Sequence, residues 1–249
     1  MLNIQCSIPY KMPPIRHFLT QEALYIPAVP KHDRRWDYPD DSAGPPYTHN
    51  DDLMDRYTNH EPDTNKRILK ILYNIADNST ILEAGAHVGD TTFMMATYLK
   101  KLGKGTMILA FEPDPDKCEY LELVKKLNGL TNVEVINAGL SDTLSRGSLN
   151  KTLHSGAWFV EEGNDFNMIT IDSLLHDLPV SFIKLDVEGY EHKAIKGGLN
   201  TIQLYKPILC VERLEEETYT LIAESYTKSS VECIDTFLIP LKIYKSQAT

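Results

Sequence analysis

The sequence predicts a doubly wound α/β domain, with a mostly parallel sheet and helices on both of its faces. Three observations carry that expectation. From about residue 63 onward, apolar runs of strand length alternate with stretches whose apolar residues recur at helical spacing. The first of these strands runs straight into a glycine-containing turn that opens a helix, Glu83-Ala-Gly85-Ala-His87-Val-Gly89-Asp90. Finally, 249 residues suit one large domain with an appendage, and such a core needs no disulfide or metal to hold it.

The elements follow in order. Nine of the fourteen prolines fall in residues 1–62, where apolar residues keep neither period, so this stretch is expected to be an extension rather than part of the sheet. Its aromatics (Tyr25, Trp36, Tyr38, Tyr47, Tyr57) favour a segment draped over the domain, or a substrate lid, over a disordered tail. Residues 63–249 make the domain proper. In DTNKRILKILYNIADN, Ile68, Ile71, Leu72 and Ile75 form a helical stripe behind an Asp/Thr cap. TILEAGA is a strand, and a helix from about Asp90 to Leu102 ends before Gly103. TMILAFE is the second strand. Asp114 then caps a helix that has Pro115 at its first position. NVEVINAGL is expected as a third strand, and residues 143–172 as a hairpin-rich insertion around GSLNKTL, AWFV and NMITI. The regular pattern resumes with SFIKLDV, a helix from about Glu191, the strand KPILCVE, a helix near 215–227 and a β-rich tail. Alternation of this kind places helices as crossovers between parallel strands.

Composition narrows the function. A formal net charge of −10 disfavours nucleic acid as a partner, because backbone binding wants a basic stripe. The four cysteines (Cys6, Cys118, Cys210, Cys233) lack metal-ligand spacing and read as reduced residues. With no secretory leader pattern and no apolar run long enough to span a bilayer, no membrane partner and a cytoplasmic location are expected.

Ligands of open α/β sheets bind beyond the carboxyl ends of the strands, near the reversal of strand order. A dinucleotide-binding turn would read GxGxxG. This one reads Gly85-x-x-x-Gly89, with Glu83 two residues before the first glycine. A carboxylate there suits a cationic amino-acid ligand better than a diphosphate. S-adenosylmethionine, with its ammonium, carboxylate and sulfonium, fits that mixed polarity. Gly85, His87, Gly89 and Thr91 would then bring backbone and helix N–H groups to the ligand. Glu112, at the tip of the second strand, can accept both ribose hydroxyls of an adenosine. Asn137 and Asp142 either reach the adenine or serve as turn residues.

The run from Phe182 to Gly198, FIKLDVEGYEHKAIKGG, resembles the signature of the FkbM-type methyltransferases. ILEAGAHVG, AFEPDPDKCEYL, VINAGLSD, ITIDSLL and KPILCVE flank it in matching order, so the resemblance spans about residues 80–212. It implies a class I methyltransferase (Rossmann-like) fold, S-adenosylmethionine as donor, and commonly a hydroxyl of a sugar or natural product as acceptor. By position, Glu83, Gly85, Gly89 and Glu112 match the cofactor motifs, and Asp186, Glu188 and Gly189 match the signature. Glu83 stands where many relatives have Asp, and His87 where Asn is usual.

Alcohol methylation gains from a general base. Asp186 ends the fourth strand and should border the methyl group, with Lys184 on the same side of the strand. Glu188 and His192 lie four residues apart around a helix start. In one arrangement Asp186 or His192 takes the hydroxyl proton while Lys184 anchors the carboxylates. In another, Asp186, Glu188 and Glu212 hold a divalent cation such as Mg2+. His154 and Trp158 of the insertion are candidate contacts for a small-molecule or glycan acceptor. The expected function is therefore O-methylation of a small molecule. A non-catalytic nucleotide-binding scaffold of the same fold, or a nucleic-acid methyltransferase, are the alternatives.

Overall fold

The computed structural model describes residues 15–16, 20, 23–26, 61–151, 158–174, 179–229 and 235–241. Trp36, Tyr38, Tyr47, Tyr57 and His154 lie outside them, as does most of the expected lid.

Seven strands form the main sheet, in the order β12 (Tyr226–Lys228), β13 (Thr236–Pro240), β11 (Ile208–Val211), β10 (Val180–Leu185), β3 (Thr80–Ala84), β4 (Met107–Phe111), β5 (Val133–Ile136). All neighbours from β11 to β5 pair in parallel, and only β13 runs against its two partners. From β3 the chain winds outward through β4 to β5, then crosses back to lay β10 on the other side of β3. Strand order therefore reverses between β3 and β10, which opens a cleft at their carboxyl ends.

The helices cover both faces, as the alternating pattern predicts. α1 (Pro62–Asn74), α2 (Asp90–Lys101) and α3 (Pro115–Asn128) bury Ile68, Leu72, Phe93, Met95, Leu121 and Val124 against one face. α5 (Glu191–Lys196) and α6 (Leu199–Tyr205) bury Ala194, Ile195 and Ile202 against the other. Asp114 caps α3 as expected, accepting the N–H groups of Asp116 and Lys117. α1, by contrast, takes no side-chain cap: Glu61 is its N-cap residue and Pro62 begins it, so Asp63 and Thr64 lie inside the first turn.

Two further expectations change. NVEVINAGL is not one strand. It breaks at Asn137, and β6 (Ala138–Leu140) leaves the main sheet to pair in parallel with β9 (Phe166–Ile169). A second sheet results, ordered β6, β9, β7 (Ser145–Asn150), β8 (Phe159–Glu162), and its last three strands come from the stretch where a hairpin-rich insertion is expected. α4 (Ile171–Leu174) returns the chain to β10. The helix expected over 215–227 is only α7 (Glu216–Thr220), because Tyr226 is drawn into the core as part of β12.

Of the N-terminal stretch, β1 (Ile15–Arg16) and β2 (Ala23–Leu24) form a small antiparallel pair. Leu24 and Ile26 are buried, and Tyr25 exchanges hydrogen bonds with Asn128 at the end of α3. Thr20 accepts from Lys101 at the end of α2. Those helix ends lie at the amino ends of the strands, away from the cleft, since crossover helices run against their strands. Among the described residues no helix is long and apolar enough to cross a membrane, and Cys118 and Cys210 are buried thiols outside any disulfide.

Candidate functional site

A cleft lies at the reversal between β3 and β10. Five of the eight expected cofactor-site residues line it: Glu83, Gly85, His87, Thr91 and Glu112. Three of the four expected catalytic residues do so as well (Lys184, Asp186, Glu188), together with Glu212.

The glycine turn owes its shape to close packing. Gly85 has φ +83°, and a Cβ there would stand 1.7 Å from the Asp186 carbonyl oxygen. Gly89 has φ +84° and would meet the Phe93 ring at 2.4 Å, so it shapes the turn without lining the cleft. His87 also adopts a left-handed backbone, φ 49°. His is among the non-glycine residues that tolerate this region best, which explains why an imidazole is acceptable in this turn.

Glu112 is fixed by two donors. Its Oε2 accepts the His87 N–H at 2.8 Å and its Oε1 the Asp114 N–H at 3.0 Å. Each oxygen keeps a lone pair for a ligand hydroxyl. Burial raises the carboxyl's pKa, although Lys117 and the two N–H groups oppose that shift.

At the other end, Glu83 and Lys184 face one another in register on adjacent strands, both almost fully buried. Thr92 Oγ1 donates to Glu83 Oε2 at 2.6 Å, and Lys184 Nζ lies 2.8 Å from Asp186 Oδ2. Burial pushes Glu83 up to about 7, against the pull of Lys184 and Thr92. Burial works against the Lys184 ammonium too, yet Asp186, Cys210, Glu83 and Asp235 together hold it well above its ordinary range. Lys184 thus has the carboxylate partner that a central strand demands.

Asp186, Glu188 and Glu212 each offer an oxygen within 4.8 Å of the others. Glu212 follows β11 just as Asp186 follows β10, and its N–H bonds the Leu185 carbonyl. Burial, with Asp186 and Glu188 close by, pushes Glu212 up to about 8. Arg213 sits 2.9 Å from Glu188 and opposes the burial-driven rise there. Oxygen donors so spaced suit a hard cation, though Arg213 already supplies one positive charge.

Besides Gly89, three expected residues do not line the cleft. Asn137 spends its amide on the carbonyls of Glu112 and Pro113, as a turn residue at the break between β5 and β6. Asp142 pairs with Lys196 at 2.8 Å, which lowers its pKa. His192 points between α5 and α7, its Nδ1 3.0 Å from Thr218 Oγ1.

The structure adds residues that sequence reasoning passed over. Glu191 is buried, and its carboxylate accepts the N–H groups of Val187 and Gly189, fixing the loop that presents Glu188. The signal was a Glu at a helix start, two residues after a glycine. Glu61 and Lys117 also line the cleft. Nothing in their local sequence sets them apart from ordinary polar positions.

Residues 83–233 match the methyltransferase FkbM domain, more than half of the chain. No curated protein matches. Among solved structures, the chain is similar to the methyltransferase FkbM from Methylobacillus flagellatus, with 21% identity and a TM-score of 0.47 over 66% of this chain and 44% of that one. An rRNA methylase from Streptococcus thermophilus gives 12% and 0.43 over 69% and 92%, and a SAM dependent methyltransferase from Aquifex aeolicus gives 15% and 0.41 over 70% and 87%. The chain spans less than half the length of the Methylobacillus protein. The glycine turn and the Asp186–Glu188 loop both fall within the matched domain, and the chain belongs to the FkbM family of S-adenosylmethionine-dependent methyltransferases.

Proposed function

We propose that the chain transfers a methyl group from S-adenosylmethionine to a hydroxyl oxygen of a sugar or other small molecule. The carrying observation is the two-ended cleft: the anchored Glu112 carboxylate at one end, and Glu83, Lys184 and Asp186 at the other. In this reading Glu112 accepts the ribose hydroxyls, while Gly85 and the backbone of His87 allow close approach. Thr91 borders the cofactor from the first turn of α2, and Glu83 faces the cationic amino-acid portion.

When bound, the cofactor supplies a methyl group already activated on a sulfonium. The chain's residues then align the acceptor and receive its proton. Asp186 suits the role of proton acceptor, being partly open to the cleft and oriented by Lys184. Glu188 and Glu212 flank it as acceptors for further hydroxyls. The chain's net charge of −10 favours a neutral acceptor over nucleic acid. Residues 1–62 remain, in our reading, an appendage that meets the cleft at Glu61.

Transfer of labelled methyl to a panel of sugars and small alcohols tests the proposal. Asp186→Asn should lower turnover by about 10²–10⁴-fold and leave S-adenosylhomocysteine binding in place. A wild-type chain that binds neither cofactor form at millimolar concentration overturns the methyltransferase reading. Binding without turnover on any acceptor favours the scaffold alternative, and transfer to RNA the nucleic-acid one.

The spacing of Asp186, Glu188 and Glu212 favours a second reading, in which Mg2+ bound there lowers the acceptor's pKa. Dialysis against EDTA separates the two. Turnover should be unchanged if Asp186 works as a base alone, whereas a loss restored by Mg2+ establishes the metal.

A further inference from the structure

We propose that Trp158 and Lys117 form the adenine-facing wall of the cofactor cleft, held in place by the ion pair between Lys151 and Asp114. The inference rests on the cofactor reading above and adds residues from the insertion, a segment whose part in cofactor binding neither the motifs nor the family match addresses.

The wall is anchored at Asp114, which is buried. Its Oδ1 caps α3 by accepting the N–H groups of Asp116 at 2.8 Å and Lys117 at 3.2 Å. Its Oδ2 receives the Lys151 ammonium from the end of β7. One carboxylate thus ties the insertion to the turn that carries Glu112. Beside it, the Trp158 ring lies under two cations: Lys117 Nζ is 4.3 Å and Lys151 Nζ 4.5 Å from its centroid. Each such contact holds an indole in one orientation while the attraction of its ring offsets part of an ammonium's lost hydration. Lys117 needs this, being only 5% exposed.

The wall has a definite place in the cleft. Leu149 and Val160 are cross-strand partners on β7 and β8, and both line the cleft alongside Trp158. Phe111, Pro113, Ala138 and Leu140 line it from the ends of β4 and β6. Glu112 lies among these apolar groups, so a nucleoside whose ribose hydroxyls meet Glu112 places its base among them. A flat purine is the chemistry such a slot accepts, and its ring nitrogens are acceptors. Asn137 is bonded to backbone carbonyls and Asp142 to Lys196, whereas Lys117 lines the cleft on this wall.

The experiment follows two ligands by calorimetry on the full chain: S-adenosylhomocysteine, and adenosine alone, which lacks the amino-acid end. Trp158→Ala should weaken both by about tenfold or more, and Lys117→Met by about threefold to tenfold. The sequence contains two tryptophans, so a Trp36→Phe chain reports Trp158 alone, and its emission should change on adding either ligand. Should Trp158→Ala fail to fold, Trp158→Phe combined with Lys117→Met carries the same expectation. Both ligands binding within about twofold of wild type in the variants, with Trp158 emission unmoved, overturns the wall while the cofactor reading stands. A wild-type chain that binds neither ligand overturns both.

Discussion

Gly85 and Asp186 sit so close that a single added carbon at Gly85 would fall 1.7 Å from the Asp186 carbonyl oxygen. The glycine turn after β3 is thus packed directly on the chain leaving β10, and the Asp186 N–H bonds the Ala84 carbonyl. Gly85→Ala should therefore do two kinds of harm. The left-handed backbone alone costs about 1–3 kcal/mol, and the collision displaces the residue we assign as the base. We expect a lower melting temperature and loss of turnover even where folded protein is recovered. A Gly85→Ala chain as active and stable as wild type would show that this close packing does not position Asp186.

Glu112 joins the turns that follow β3 and β4, since its carboxylate accepts N–H groups from His87 and Asp114. Glu112→Gln replaces one of those oxygens with an NH2 group that faces a donor. The expected cost is about 1–3 kcal/mol of stability, with S-adenosylhomocysteine affinity reduced about tenfold or more. The neighbouring position gives a control. His87→Asn keeps a residue tolerant of positive φ and the same backbone N–H, so its affinity should stay near wild type in the same titration.

Glu191 offers a test of positioning apart from chemistry. Its carboxylate holds the N–H groups of Val187 and Gly189, and Glu188 between them has φ 49°. Glu191→Ala should cost about 1–3 kcal/mol and lower kcat more than cofactor affinity, because the loop lies on the Asp186 side of the cleft. Glu191→Gln, which keeps an acceptor oxygen, should recover part of the rate. Equal losses in both variants would mean the role is not one of hydrogen bonding.

The parts legible in the sequence were those written locally. Asp114 followed by Pro115 announces α3, and the spacing from Gly85 to Gly89 announces the turn. Lys184 and Asp186, two apart on a strand, had to point the same way. The parts not legible depend on partners distant in the chain. Asn137 marks a break because its amide is taken by the carbonyls of Glu112 and Pro113, and Asp142 leaves the cleft because Lys196 draws it away. His192 was placed by helical spacing from Glu188, but Glu188 lies in a left-handed loop before α5, so that spacing did not apply. Trp158 and Lys117 meet across a sheet-to-helix contact that no sequence period encodes.

The buried carboxyls also set a pH dependence of stability whose direction follows from their shifts. Glu83 is raised to about 7 and Glu212 to about 8, from an ordinary value of 4.5, with burial the leading cause in both. Between about pH 4.5 and 8 the folded chain therefore binds more protons than the unfolded chain, and stability falls as pH rises through that window. Above it both forms have lost these protons, and the contribution levels off. Lys184 acts only at higher pH, since its protonated form is held well above the ordinary lysine range. Glu83→Gln keeps an acceptor for Thr92 and cannot ionise, so it should flatten the slope up to about pH 7. Glu212→Gln should flatten it nearer pH 8. Denaturant melts at intervals from about pH 5 to 9 read this directly. Stability that climbs steadily across the range in wild type, or an unchanged slope in both variants, would show that these two carboxyls are not the groups that titrate.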